Sequence, residues 1–362
     1  MTKIEWVKSS DGTKGETYNP IIGCSKISEG CRNCYAERMA CRLALIENAP
    51  PYGKVLRKKR DEETQREYFN RYGGWNGKTH MVESALDKPL KRKKSTIYFV
   101  DSMGDLFHEN TPLKWILRVW NIMAQCQHHR FLILTKRAKM MHDLVPYLLG
   151  NVPCNDNLKP ANQWPQRPLP NVYLGVTAEN QKTANERIPY LLKIPAVKRF
   201  ISIEPMLESV NLRSVEVSDH GYWRGKTYVD ALTGVRTSYL SGQKIEKEFY
   251  NEIDQVIVGG ESGPDARPMH PEWVRSIRDQ CKEAGTPFFF KQWGGHYPIK
   301  RNRDYVESGD ILIDPQGGTR KLRDFRDMPT WLSSEAACMR PCNKKKAGRS
   351  LDGRTHDELI WK

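Results

Sequence analysis

A chain of 362 residues, 38% apolar and 28% charged, is long enough to bury a substantial core as one α/β domain with insertions. Its formal charge of +15 points to a polyanion partner, although each of the basic runs 57–60, 91–94 and 344–346 taken alone reads as solvated surface. Nine cysteines in a chain with no leading signal peptide argue against a small secreted disulfide framework, and no apolar run reaches the length of a membrane span, so the expectation is a soluble, cytoplasmic protein with reduced thiols and no membrane contact.

NPIIGC, from Asn19, reads as a first strand, and the loop behind it, GCSKISEGCRNCYAERMA, carries Cys24, Cys31 and Cys34 with gaps of six and then two residues. Cys41 lies further on, in what reads as the helix AERMACRLALI, as a buried apolar residue. A charged insertion with the turn signal GGWNG follows, about residues 49–94. Six further runs then read as buried strands: STIYFVDSM from Ser95, RFLILTKR from Arg130, NVYLGVTAEN from Asn171, KRFISIEP from Lys198, DQVIVGGESG from Asp254 and TPFFFKQWG from Thr286.

Helical patterns lie between them. TPLKWILRVWNIMAQC places Trp115, Val119 and Met123 on one face behind a cap at Thr111 and a proline at the first helical position. HPEWVRSIRDQCKEAG places Trp273, Ile277 and Cys281 in register and stops at Gly285. Alternating strand and helix predicts parallel strands with crossover helices, an α/β sheet or partial (β/α) barrel of about six to seven strands. WRGKTYVDALTGVRTSYL, in a second insertion over 209–251, predicts a hairpin, and 294–362 reads as a basic extension packed on a core of 1–293.

Chemistry in such folds collects at the carboxyl ends of the strands. That rule selects Cys24, Asp105, Lys136, Arg137, Glu179, Asn180, Glu204, Glu261, Ser262, Lys291 and Gln292. Three thiolates from a loop after a first strand suit three irons of a four-iron, four-sulfur cluster with the fourth iron open, whereas a closed zinc site needs four ligands. CMRPC, with Cys338 and Cys342, offers only two ligands for a second metal. Cys126 and Cys154 have no evident partner. Aromatic residues among basic ones, Tyr68 near Arg71 and Trp223 beside Arg224, suit a nucleic acid or nucleotide.

The cysteine loop resembles that of the radical SAM enzymes, whose partial TIM barrels carry three cysteines after the first strand; here the CxxCY end is kept and the first gap is six rather than three. The chain from Tyr18 to Gly294 is more similar still to a phage and prophage family of three-cysteine-motif proteins, through NPIIGCSKISEGCRNCYAERMA, DSMGDLF, LTKR, LGVTAENQ, VIVGGESGPDAR and FFFKQWG.

The resemblance implies a [4Fe-4S] cluster on Cys24, Cys31 and Cys34, S-adenosyl-L-methionine on its open iron, hydrogen abstraction from a substrate carbon, and an electron-donor protein. It places Ser102, Gly104 and Asp105 at the amino group of S-adenosylmethionine and Lys136 or Arg137 at its carboxylate. Glu179, Asn180 and Glu204 fall at the ribose or substrate, and Gly260 with Glu261 at a close backbone approach to a ligand. Phage-type DNA base modification is the expected reaction; a zinc-containing nucleic-acid-binding protein, and a radical SAM enzyme acting on a protein or small molecule, are the alternatives.

Overall fold

Continuous apolar runs bounded by glycine and charge form the strands of a parallel sheet covered on both faces. In this computed structural model, which describes residues 4–8, 15–46, 51–58, 74–150, 168–217, 226–240, 243–248, 250–299, 306–323 and 335–361, seven strands share one sheet. Their order is β1 (Glu16–Tyr18), β4 (Ile97–Val100), β5 (Arg130–Thr135), β6 (Val172–Thr177), β7 (Lys198–Ile203), β12 (Gln255–Gly259) and β13 (Phe288–Gln292). β1, β4, β5 and β6 pair in parallel, as do β7, β12 and β13. Strand order follows chain order, the winding of a partial (β/α) barrel, and the fold class is α/β. Among the described residues no helix is long and apolar enough to cross a membrane.

The first strand differs from expectation. The sheet begins at Glu16, and Ile21–Ile22 (β2) pairs instead with His80–Met81 (β3), antiparallel. Pro20, which has no N–H for a ladder, separates the two.

The long helices are α1 (Tyr35–Leu43), α2 (Leu113–Gln125), α3 (Ala138–Gly150), α4 (Gln181–Lys193) and α5 (Pro271–Ala284). The N-cap position of α2 is Pro112, whose carbonyl accepts the Trp115 N–H, rather than Thr111, whose buried hydroxyl has no partner among the described residues; the helix buries Ile116, Val119, Trp120, Ile122 and Met123 while Trp115 is half-buried. α5 buries Trp273, Ile277 and Cys281 as its spacing requires; the His270 ring accepts the Glu272 N–H at its start, and Gly285 ends it at φ 72°.

The chain divides into two compact units, Met1–Val176 with Lys193–Arg199 and Trp361–Lys362, and Thr177–Leu192 with Phe200–Ile360. In the first, Trp6 packs edge-on against Phe99 at 4.9 Å and Trp361 at 5.8 Å, and the Trp361 indole donates to Trp6 O at 2.8 Å. In the second, the expected hairpin forms between β9 (Thr227–Val229) and β10 (Val235–Leu240), extended by β8 (Val215–Val217) and β11 (Gln243–Glu248) into a four-stranded antiparallel sheet.

The C-terminal segment makes a sheet of its own. β14 (His296–Ile299), β15 (Ile311–Ile313), β16 (Thr319–Lys321) and β17 (Ala337–Pro341) pair antiparallel in the order β14-β17-β15-β16. Cys338 is buried there with Leu312 and Leu322, and Cys342 lies four residues on, roughly 13 Å along an extended chain. Cys126 is buried beneath the end of α2. Tyr68, Arg71, Cys154, Trp223 and Arg224 lie outside the described residues.

Five histidines, His108, His129, His270, His296 and His356, are buried, and burial holds each below its ordinary value. The unfolded chain therefore binds protons that the folded chain refuses. This contribution to stability is complete above the ordinary histidine value of about 6.5 and is lost as pH falls below it, at up to ~1.4 kcal/mol per pH unit for each ring. Thermal unfolding followed from pH 7.5 to 5 is expected to show a steady fall in Tm; a flat profile would contradict these buried neutral rings. Trp361→Ala is expected to cost ~3–5 kcal/mol in urea unfolding, because it empties an aromatic site and removes an indole hydrogen bond.

Candidate functional site

The segment leading into Cys24 is gripped by the loop that leaves β4. Asp101, left-handed at φ 49°, gives its N–H to Tyr18 O at 2.7 Å and accepts the Ile21 N–H on Oδ1 at 3.0 Å. Asn19 Oδ1 accepts from Ser102 Oγ at 3.0 Å and from the Met103 N–H at 3.2 Å. Gly23, at φ 97°, bridges to Gly104. A Cβ on Gly23 would stand 2.2 Å from Lys78 O, and one on Gly104 would stand 2.9 Å from Ile21 O, so both positions need glycine. Ser102 and Gly104 thus hold the backbone that presents Cys24.

Arg137, just beyond β5, gathers the side chains around that cysteine. Its guanidinium donates to Asp105 Oδ2 at 3.0 Å and Cys24 Sγ at 3.6 Å through Nη1, to Ser25 Oγ at 2.7 Å and Ser25 O at 3.3 Å through Nη2, and to Glu109 Oε2 at 2.5 Å through Nε. Asp105 is also fixed by both contacts of the Thr135 hydroxyl, 2.7 and 2.9 Å, and by the Phe107 N–H. Both oxygens of Asp105 and all three guanidinium nitrogens of Arg137 are therefore engaged by this chain's own groups. Lys136 is half-buried beside Arg137 in the sequence.

The Asn110 N–H donates to His108 Nδ1 at 3.0 Å, which places the proton of this neutral ring on Nε2. That proton goes to Ser25 Oγ at 2.9 Å, and Ser25 in turn donates to Glu109 Oε1 at 3.1 Å. The Ser25 hydroxyl thus accepts from His108 and Arg137 and donates to Glu109, with no rotational freedom left. Burial pushes the Glu109 carboxyl up, but the hydrogen bond and charge of Arg137 together with a backbone N–H outweigh it, holding Glu109 at about 2. Asp101 lies well above the usual carboxylate range because it is buried, and its Oδ2 has no partner among the described residues.

The thiols lie in one neighbourhood. Burial raises Cys24 to about 12; Asp105 and the nearby Cys34 and Cys31 push the same way, and Arg137 opposes them. Burial also raises Cys34, against the N–H groups of Glu37 and Ala36 in the first turn of α1. Cys31 is buried, with its sulfur 3.7 Å from Ser28 Oγ. Cys24, Cys34 and Cys41 pack against an apolar cluster that includes Ile22, Ala40, Val55 and Trp75. α1 is anchored through Glu37, which accepts from the Gly74 and Trp75 N–H groups and pairs with Lys26. Among the described residues no group of three or more His, Cys, Asp or Glu side chains stands in an arrangement that could hold a metal ion.

In the second unit the selected residues serve one another. Glu179 is fully buried against Arg187, at 3.0 and 3.1 Å, and Asn180 Oδ1 caps α4 by accepting the Thr183 N–H at 2.9 Å. Glu204 pairs with Lys291 at 2.5 Å across Gly259, where a Cβ would stand 3.0 Å from the carboxylate. Gly260 exchanges hydrogen bonds with Gln292, and Glu261 holds Arg267 and its N–H. Ser262 is half-buried in the loop that follows Glu261.

A family model described as "Protein of unknown function (DUF5131)" matches residues 1–360. The chain belongs to the DUF5131 family. No curated protein and no solved structure matches it. In this DUF5131 chain the sequence reading found Cys24, Asp105 and Arg137 but missed Ser25, His108, Glu109 and Thr135, which complete the network. The signal was present in the polar run His108-Glu109-Asn110 directly after DSMGDLF and in the serine beside the first cysteine.

The Arg137–Asp105 pair is buried on both sides, so Arg137→Gln strands a carboxylate and is expected to cost ~3–5 kcal/mol in urea unfolding. The exposed Lys139–Asp143 pair gives the comparison: Lys139→Gln is expected to cost ~0–1 kcal/mol. Equal costs would mean that Arg137 does not organise the site.

Proposed function

We propose that this protein is a radical SAM enzyme: Cys24, Cys31 and Cys34 hold a [4Fe-4S] cluster, S-adenosylmethionine is its co-substrate, and a nucleic-acid base is the substrate. The observation that carries the reading is the setting of the thiols. Three of them lie together beside the β4 and β5 strand ends, and hydrogen-bond donors reach two of the sulfurs, from Arg137 to Cys24 and from the first turn of α1 to Cys34. Burial raises both thiols and these donors oppose it; a bound metal ion takes the thiolate form, which such hydrogen bonds then support.

A [4Fe-4S] cluster held by these cysteines would supply the one-electron reduction of the sulfonium of S-adenosylmethionine, with methionine as the leaving group. The chain's own groups do the holding. Asp105 and Glu109 fix the Arg137 guanidinium, Arg137 fixes Cys24 and Ser25, and the paired glycines at 23 and 104 fix the turn into the loop. The excess of Lys and Arg, 58 against 43 acidic residues, supports a nucleic acid as the substrate, because a basic surface concentrates polyanions.

Anaerobically purified protein is expected to carry about four irons and four sulfides per chain, and none with Cys24, Cys31 and Cys34 changed to alanine. Formation of 5′-deoxyadenosine should then rise when DNA is added. Zinc without sulfide would replace the cluster by a metal-stabilised binding protein; turnover indifferent to every nucleic acid would move the substrate to a protein or small molecule.

A further inference from the structure

Helix α1 buries Ala36, Glu37 and Ala40 on its inner face, and the opposite stripe is the unusual one. Positions 35, 39 and 42 stand four and then three residues apart, on one side of the helix, and they are Tyr35, Met39 and Arg42. Nine large apolar side chains are exposed among the described residues, and five of them, Ile27, Tyr35, Met39, Leu45 and Ile46, fall between positions 27 and 46. Tyr35 is 51% exposed. Its hydroxyl nevertheless donates to Ser102 O at 2.9 Å, so the ring is held in one place while much of it faces solvent. Arg32 and Arg42 flank it, both exposed and neither in an ion pair among the described residues.

A fixed, exposed aromatic ring between unpaired guanidinium groups is the arrangement by which proteins bind single-stranded nucleic acid, stacking a base on the ring and neutralising the phosphates beside it. We infer that the outer stripe of α1, Tyr35, Met39 and Arg42, together with Arg32 just before the helix, is the docking surface for a single nucleic-acid strand, with a base stacked on Tyr35 next to Cys34. The inference rests on the nucleic-acid part of the function proposed above and gives it a location. Charge selects this occupant: the two arginines and a chain of net charge +15 favour a polyanion over a neutral protein surface. A strand is favoured over a duplex because an aromatic face is satisfied only by a base outside a stack.

The test is fluorescence anisotropy of a labelled mixed-sequence 15-mer, single-stranded and duplex, on anaerobically purified protein. Iron content and thermal unfolding are recorded for every variant. Tyr35→Ala is expected to weaken binding of the single strand about tenfold, Tyr35→Phe to keep most of it because the ring remains, and Tyr147→Ala, an exposed tyrosine on α3, to change nothing. Arg32→Gln with Arg42→Gln should lower the slope of log K against log salt by about 1.4, two phosphate contacts at roughly 0.7 each.

Wild-type binding that Tyr35→Ala leaves unchanged at full iron content would overturn the docking surface and leave the function intact. Failure of the wild type to bind either oligonucleotide would remove both this surface and the nucleic-acid substrate, while the iron and sulfide content would still decide the cluster independently. Binding to vesicles of anionic lipid without binding to oligonucleotide would assign the stripe to a membrane surface and overturn the inference.

Discussion

A buried guanidinium has to be answered on every side, and Arg137 sets the terms for the first unit. Its three nitrogens are met by Asp105, Glu109, Ser25 and the Cys24 sulfur, drawn from the loops after β2 and β4. An unmatched cation at this depth would be far more costly than the ordering of those loops. The network therefore makes the position of the first cysteine a consequence of charge balance. Thr135 and Phe107 secure Asp105 in turn, and His108 orients Ser25.

The same constraint explains the work done by DSMGDLF. Asp101 and Ser102 reach back to Ile21 and Asn19, and Gly104 lies against Gly23. The motif is a clasp on the chain entering the cysteine loop, and its last acid, Asp105, is the counter-charge of Arg137. Tyr35, directly after the third cysteine, closes the clasp through Ser102 O while presenting its ring outward. The second unit repeats the principle with other pairs, Glu179 with Arg187, Glu204 with Lys291 and Glu261 with Arg267, each matched within the unit.

Sequence alone fixes what is local. The apolar runs from Ser95 to Gln292 could only be covered strands, and the alternation with helices made them parallel; Trp273, Ile277, Cys281 and Gly285 specified α5 from its first turn to its stop. The three cysteines stood out through their spacing, and Cys41 through its place on a helix. Local reading failed where a neighbour in space overruled it. Pro20 and the Asp101 carboxylate moved the first strand upstream to Glu16, and Pro112, whose carbonyl accepts the Trp115 N–H, took the N-cap position of α2 in place of Thr111. The basic tail, compositionally a drape, found partners and became a four-stranded sheet.

Tertiary structure decided the rest. Arg137 and Ser25 lie 112 positions apart, and Ser102 and Asn19 lie 83 apart, separations at which no periodicity carries information. A sequence determines which groups are charged, apolar or thiol, and hence the fold class and the cysteine triad. Which charge answers which, and which aromatic ring is left facing solvent, depends on strand order and loop approach, because those alone set the distances over which hydrogen bonds and ion pairs act.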